Sequence, residues 1–203
     1  MTTTTMVRKA GRRTAKTGIL TAVAAVTLGV FGAGMANAEP VEKDVTFVGS
    51  FPIIGEQQVD VHVKTDIPTS ATRGETVTAP VHIDVDAGQN AGDGLRLVGT
   101  KNVSGDIDAS ITVTVSDGQS VQIPVALTIV PLEMPAEGPF TFEADGTVEF
   151  QVPGGVPAGP AEIALDPDVS AHLVTDGSLG EFDNELTFDP PDQDGTLGTV
   201  EIK

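Results

Sequence analysis

Three histidines, His62, His82 and His172, are the only imidazoles in a chain that has no cysteine. His62 and His82 stand on the outward parity of two alternating runs, VDVHVKT and PVHIDVD, beside Asp60 and Asp84. Imidazoles from neighbouring strands with carboxylates alongside form a donor set that zinc accepts. Neither a close i,i+2 pair nor an HExxH spacing joins them, so the expected state is two solvent-facing strand residues and no metal site. Hydrolytic chemistry would need a nucleophile held at a strained turn beside a histidine. No GxSxG segment supplies one, and thiol chemistry is excluded outright. The expectation is a protein that is not an enzyme, with no catalytic, cofactor-binding or metal-ligating residue.

Acidic loops carry the other candidate chemistry. Asp84, Asp86 and Asp93 flank AGQNAGDG, while Asp183, Asn184, Glu185, Asp189, Asp192 and Asp194 crowd the last connections. Calcium draws about six to eight oxygen ligands from loops of this kind. Asp192-Gln193-Asp194-Gly195 copies the opening of a calcium loop, but Thr196 stands at the third ligand position and the distal glutamate is missing. Calcium is therefore a candidate cofactor only, and solvated acidic loops are the expected reading. Asn102-Val103-Ser104 is formally a glycosylation sequon, read here as chance.

The charge balance bounds the partners. Against 29 acidic residues stand 11 basic ones, a formal net charge of −18. Arg8, Lys9, Arg12, Arg13 and Lys16 all fall in residues 1–38, which contain no acidic residue. With the apolar run Ile19 to Gly34 and the small-residue site Ala36-Asn37-Ala38, this segment reads as a helical signal peptide cleaved after Ala38. Its apolar run is shorter than the ~20 residues of a membrane span and is interrupted by glycines. Arg12-Arg13 is a weak twin-arginine signal, because no apolar pair follows it directly. The remaining chain, 39–203, is expected to be one domain, with a candidate subdomain break near 131–139. Its acidity excludes nucleic acid and disfavours anionic membranes, and it suits a secreted protein.

The elements that must position these residues are strands. Ile107, Ile111, Val113 and Val115, then Val121, Ile123, Val125, Leu127 and Ile129, share one parity across Ser116-Asp117-Gly118-Gln119, the pattern of a β-hairpin. FTFEADGTVEFQV suggests a second hairpin turning at Asp145-Gly146. Further strands are expected at Val45–Val48, Val59–Val63, Thr76–Asp86 and Leu95–Val98, and in AEIALD, VSAHLV, NELTFD and TLGTVEI. Pro80 and Pro124 suggest edge positions or breaks. Glu39 to Asp44 reads as a frayed leader, and no helix is expected beyond the signal segment. The fold class is all-β: an antiparallel two-sheet sandwich of about nine to eleven strands with immunoglobulin-like packing.

FPIIGEQQVDVHVKTDIP, RGETVTAPVHIDV, EGPFTFEADGTVEF and DPPDQDGTLGTVEI, in this order, resemble a family of secreted actinobacterial β proteins known only as a domain of unknown function. The resemblance implies export and an immunoglobulin-type sandwich. It also implies cysteines near Gly49 or Ser50 and near Glu185, which this chain lacks. It supplies no catalytic residue. The expected role is a non-enzymatic exported module, structural or interacting, in the cell envelope or outside the cell, secreted or loosely held at the wall. Its partner would be an unidentified protein or envelope component, with oligomeric state left open. A calcium-dependent adhesion module and an extracellular hydrolase are the alternatives.

Overall fold

The computed structural model describes residues 37–203, so the expected signal segment lies outside the described residues except for its last two positions. Eleven strands and one helix follow in chain order: β1 (Ala38–Phe51), β2 (Gly55–Pro68), β3 (Ser70–Ala71), β4 (Thr76–Asp86), α1 (Gly88–Leu97), β5 (Asn102–Thr114), β6 (Ser120–Glu133), β7 (Thr141–Gln151), β8 (Gly159–Leu165), β9 (Asp168–Thr175), β10 (Glu181–Phe188) and β11 (Thr196–Ile202).

The alternating sequence specifies one apolar face for each strand, and the ladder joins these faces into a ring. Strands β5-β6-β7-β4-β2-β1-β10-β9 pair in that order, every pair antiparallel, and β9 pairs back onto β5. The result is a closed eight-stranded barrel. Two stacked sheets were the expectation; a single continuous sheet is found. The difference arises in β5, whose 13 residues serve two partners on one edge. Val103–Asp108 pairs with β9 and closes the ring, whereas Ile111–Thr114 pairs with β8, which leads on to β11 and β3. Periodicity reports which face a residue takes but not which edge its strand shares.

Inward positions such as Val45, Phe47, Val59, Val63, Ile83, Val85, Ile107, Ile123, Val125, Leu127 and Ile129 are all buried. The rings of Phe47 and Phe188 meet in the interior with centres 5.0 Å apart and planes tilted by 55°. Outward positions are mostly Asp, Glu, Lys, His, Gln and Thr, with Ala126 and Val130 of β6 among the exceptions. Where β1 outruns its short pairing with β10, Gln193 takes over the edge, its amide accepting from Thr46 N (3.0 Å) and donating to Thr46 O.

Four local expectations are corrected. Glu39–Asp44 is not frayed, since it pairs residue for residue with Ile67–His62 of β2. FTFEADGTVEFQV is one strand, β7, not a hairpin. Gly146 lies inside it because a Cβ there would sit 2.4 Å from Ala126 O, where the backbone of β6 crosses. AGQNAGDGLRL is a helix, α1, where a loop and short strand were expected. Its glycines lower intrinsic propensity, and tertiary packing restores it: Ala91 and Leu95 are buried one turn apart, and Phe140 bonds Ala87 and Gly88 backbone groups. Pro80 lies in a central strand rather than at an edge, although the ladder to β2 stops at Val81, one residue away. Pro124 does occupy a stretch of β6 that is paired only to β5.

Ring closure depends on Gly105. Its φ is +150°, and a Cβ there would lie 2.0 Å from His172 O of β9. Gly105→Ala is expected to destabilise the fold by about 3 kcal/mol or more in urea denaturation. Gly118→Asn, in the open hairpin turn at φ +84°, should cost less than about 1 kcal/mol. Equal losses at the two sites would refute the closing role.

Candidate functional site

On the outer face, register brings unlike charges opposite one another. One line of direct partners runs through Glu42, Lys64, His82, Asp145, Thr128, Asp106, His172 and Asp183 around the ring. All three histidines point Nδ1 at an aspartate on the adjacent strand: His62 at Asp44 (2.6 Å), His82 at Asp145 (2.7 Å) and His172 at Asp183 (2.6 Å). The bond to Asp145 raises the His82 pKa and the bond to Asp183 raises that of His172, each against a smaller effect of burial. Lys64 donates to Asp84 at 2.7 Å, which raises the lysine and lowers the aspartate.

The suspected histidine pair is offset, because His62 opposes Asp84 and His82 opposes Lys64. That lysine occupies the middle of the would-be donor set. Among the described residues no group of three or more His, Asp or Glu side chains is placed to hold a metal ion. An open groove of about 680 Å³ on this face is lined by Asp44, Asp60, His62, Asp84, Asp86 and Glu143 together with Val130 and Leu132.

The acidic loop residues mostly tie the chain to itself. Asp93 accepts from Arg96 (2.7 Å) and Gln89 (3.0 Å), Asp194 from Lys43 (2.8 Å) and Thr196 N (2.9 Å), Asp189 from Gln58 (3.0 Å) and Glu185 from Ser170 (2.8 Å). Lys43 and the turn amide hold the Asp194 carboxyl well below the usual range, and Arg96 does so for Asp93. Asp176, which the sequence did not single out, accepts from the Asn102 and Lys101 amides and is lowered to about 2. Asn184, grouped with these surface acids by sequence position, is instead inside the barrel and 2% exposed.

The interior holds the feature that no motif announced. A cavity of about 170 Å³ lies in the barrel, lined almost wholly by apolar side chains of its eight strands. Val61, Val81, Ala109, Ile111, Phe142, Phe150 and Leu186 take the inward parity, line this space and are only half-buried. Its width follows from the ring's stagger. The line that starts at Glu42 returns to β1 opposite Pro52, as the Phe47–Phe188 register requires, so the strands are displaced by about ten residues per circuit and tilt accordingly. Helix α1 packs at the end of the barrel that carries the β1–β2 turn, with Gly94 against Ile54. Strands β8, β11 and β3 contribute Ile163, Val200, Ile202 and Ala71 towards the other end.

Between β8 and β9, where β5 changes partner, Asp166 bridges the seam. Its amide donates to Ser110 O (3.0 Å), and its carboxylate accepts from Ser110 Oγ (2.6 Å), Thr112 Oγ1 (2.6 Å) and Gln122 Nε2 (2.7 Å). Burial alone would raise this carboxyl, but the three donors outweigh it and hold it low.

A family profile described as "Family of unknown function (DUF6801)" matches residues 46–198, spanning β1 to β11. No curated protein and no solved structure matches the chain. The two positions at which the resemblance places cysteines lie on paired strands, since Gly49 is opposite Leu186 and a Cβ on it would lie 3.1 Å from Glu185 O.

The ionic pairs fix the sign of the pH dependence. Raised histidines stabilise the fold fully below the ordinary imidazole value of 6.5 and lose that contribution as pH rises through their higher folded values. Lowered aspartates stabilise it above 3.8 and lose that contribution as pH falls through their folded values. Urea midpoints should therefore be highest between about pH 4 and 6.5, with His82 titrating above 6.5 by NMR and shifting down in Asp145→Asn. A stability maximum above pH 8 would contradict these pairings. Asp166→Ala should cost about 2 kcal/mol through the donors it leaves unpaired.

Proposed function

The chain belongs to a family of unknown function, and from its interior we propose that it is a non-enzymatic binding protein that encloses a small apolar molecule. The carrying observation is the cavity of about 170 Å³ bordered by inward apolar side chains from every strand of the ring. Eight-stranded barrels leave an interior that side chains fill or that one small ligand occupies. Here the filling is incomplete. An apolar cavity of about 150 Å³ in another fold stays dry and accepts benzene, so this volume suits a molecule of that size. An apolar occupant would restore the dispersion contacts that the lining lacks and withdraw its own surface from water, worth roughly 0.8 kcal/mol per methylene.

Export completes the reading, as a proposal. The basic, apolar and small-residue segments of residues 1–38 support it, and so does an outer surface of strong negative charge. Among the described residues no helix is long and apolar enough to cross a membrane. Cleavage after Ala38 would remove only the terminal Ala38–Pro68 pair of the β1–β2 ladder. The protein would then act outside the cell or at its envelope, delivering or sequestering its ligand.

Toluene and hexane are the direct probes. At about 100 times its dissociation constant, a bound probe adds about 2.7 kcal/mol, or roughly 5–10 °C in melting temperature at this size. Ala109→Leu, which fills the cavity, should abolish the shift while leaving the unliganded protein folded. No shift with either probe at saturation in water would sink the proposal. Export predicts an N-terminus at Glu39 for protein recovered from the medium, read by N-terminal sequencing; an intact Met1 on wholly cell-retained protein would remove that part.

A further inference from the structure

Two four-stranded halves make up the ring. In one, the whole of β1 pairs with β2 and the whole of β4 with β7; in the other, β6 pairs along β5 and β10 along β9. The halves meet at two short seams, Phe47–Gly49 of β1 with Leu186–Phe188 of β10 and Leu127–Ile129 of β6 with Ala144–Gly146 of β7. The seams differ in what supports them. At β1–β10, Gln193 bonds both backbone groups of Thr46, Asp189 N donates to Thr46 O (3.0 Å) and Gln58 Nε2 donates to Asp189 (3.0 Å). At β6–β7, no side-chain hydrogen bond or ion pair crosses among the described residues. Thr128 donates to Asp106, Gln122 donates to Ser110 and Asp166, and Asp145 pairs with His82, each on its own side of the seam.

On one side of this seam the strands part. From Ser120 to Ala126, β6 has no partner towards β7, and Thr147–Gln151 of β7 has none towards β6. Water must meet the facing backbone groups, so the wall there is a hydrated slot rather than a ladder. Both lips of the slot are apolar on the inside: Ile123 and Val125 of β6 and Val148 and Phe150 of β7 line the cavity. At the α1 end the same two strands are tied, because Arg96 donates to Pro135 O (3.2 Å) and Gly138 O (2.7 Å) of their connection and Phe140 N donates to Gly88 O (3.0 Å).

From this asymmetry we infer that the β6–β7 seam is the entrance to the cavity. It parts from the Ser120–Ala126 end, with the β1–β10 seam as the hinge, and admits an apolar molecule sideways between β6 and β7. This rests on the reading of the barrel as a container for an apolar molecule, and it adds the route by which that molecule exchanges. Parting the seam frees only backbone groups adjacent to ones already hydrated, so water takes over their hydrogen bonds. Entry through either end would instead displace buried side chains, Ala91 and Leu95 of α1 or Val200 and Ile202 of β11. Local opening of this kind needs far less free energy than unfolding, and it governs the exchange rate while leaving the affinity unchanged.

The chain has no cysteine, so a disulfide placed across either seam is unambiguous. Thr128→Cys with Asp145→Cys joins direct partners across β6–β7, and Val48→Cys with Thr187→Cys does so across β1–β10; direct antiparallel partners lie within the Cα separation that a disulfide spans. Exchange of toluene, followed by NMR on the oxidised full protein, is expected to slow at least about tenfold in both directions in the first pair, with Kd unchanged and the rate restored by dithiothreitol. The second pair should exchange toluene at the rate of the unmodified protein. Amide hydrogen exchange in the unmodified protein serves if the first pair does not fold or oxidise: amides at Leu127–Ile129 and Ala144–Gly146 that pair across the β6–β7 seam should exchange faster than those that pair across β1–β10. Undiminished toluene exchange in the locked β6–β7 pair, or slower amide exchange at that seam than at β1–β10, would overturn the entrance while leaving the container intact. Absence of toluene binding by the unmodified protein would instead overturn the container itself.

Discussion

The pairing of β9 with the first half of β5 is the contact on which the rest of the molecule depends. Without it, the eleven strands would form an open sheet in which β9 and the first half of β5 each present a row of unsatisfied backbone groups. With it, eight strands close and every inward face meets the same interior. Closure also fixes the stagger, and the stagger fixes the width. A displacement of about ten residues per circuit tilts the strands and leaves the interior wider than its own side chains fill. Because β9 occupies only half of the edge of β5, the other half is free to bind β8, and the chain after Gln151 folds back to cover one end of the barrel.

The outer surface answers a different problem, that of holding 29 acidic groups on one small fold. Placement of the three histidines directly opposite aspartates, and of Lys64 diagonally to Asp84, converts some like-charge repulsion into attraction. Exposed pairs of this kind contribute little singly, and salt screens them. Their effect is on register: a slip of one residue would turn every carboxylate inward and every valine outward. The loop carboxylates do comparable work by bonding backbone amides, as Asp176 does at the start of β5 and Asp194 before β11. These bonds compensate in part for the absence of disulfides.

Alternation made most of the strands legible: Thr76–Asp86 matches β4 in full, and AEIALD, VSAHLV, NELTFD and TLGTVEI are β8 to β11. Failures came where local grammar met a tertiary constraint. Asp117-Gly118 and Asp145-Gly146 are the same dipeptide, but Gly118 sits in an open turn and Gly146 lies beneath a crossing backbone. Ala144, Gly146 and Val148 keep unbroken alternation through the second dipeptide, whereas Ser116 to Gln119 interrupts it at the first; that was the usable signal. Helix α1 was hidden by glycines, since only Ala91 and Leu95 mark its buried face. The candidate site was not legible at all. Asn184 reads as one more polar residue among acids, and its inward parity, shared with Phe182, Leu186 and Phe188, becomes meaningful only once β10 is placed in the ring.

A cavity and an unpaired amide both lower stability, and this chain has neither disulfide nor large aromatic surplus to offset them. Packing away from the cavity is not slack: Ile129, Ala144 and Ala161, none of which lines it, are completely buried. The cavity is bordered by small residues on two strands, Ala109 and Ala171. Replacing either with a larger side chain would fill part of the space. A fold selected for stability alone would take such substitutions readily, since filling a cavity commonly adds about 0.5–2 kcal/mol. Retention of alanines on β5 and β9 beside this space is accounted for by an occupant, which would supply on binding the dispersion contacts that the empty barrel forgoes.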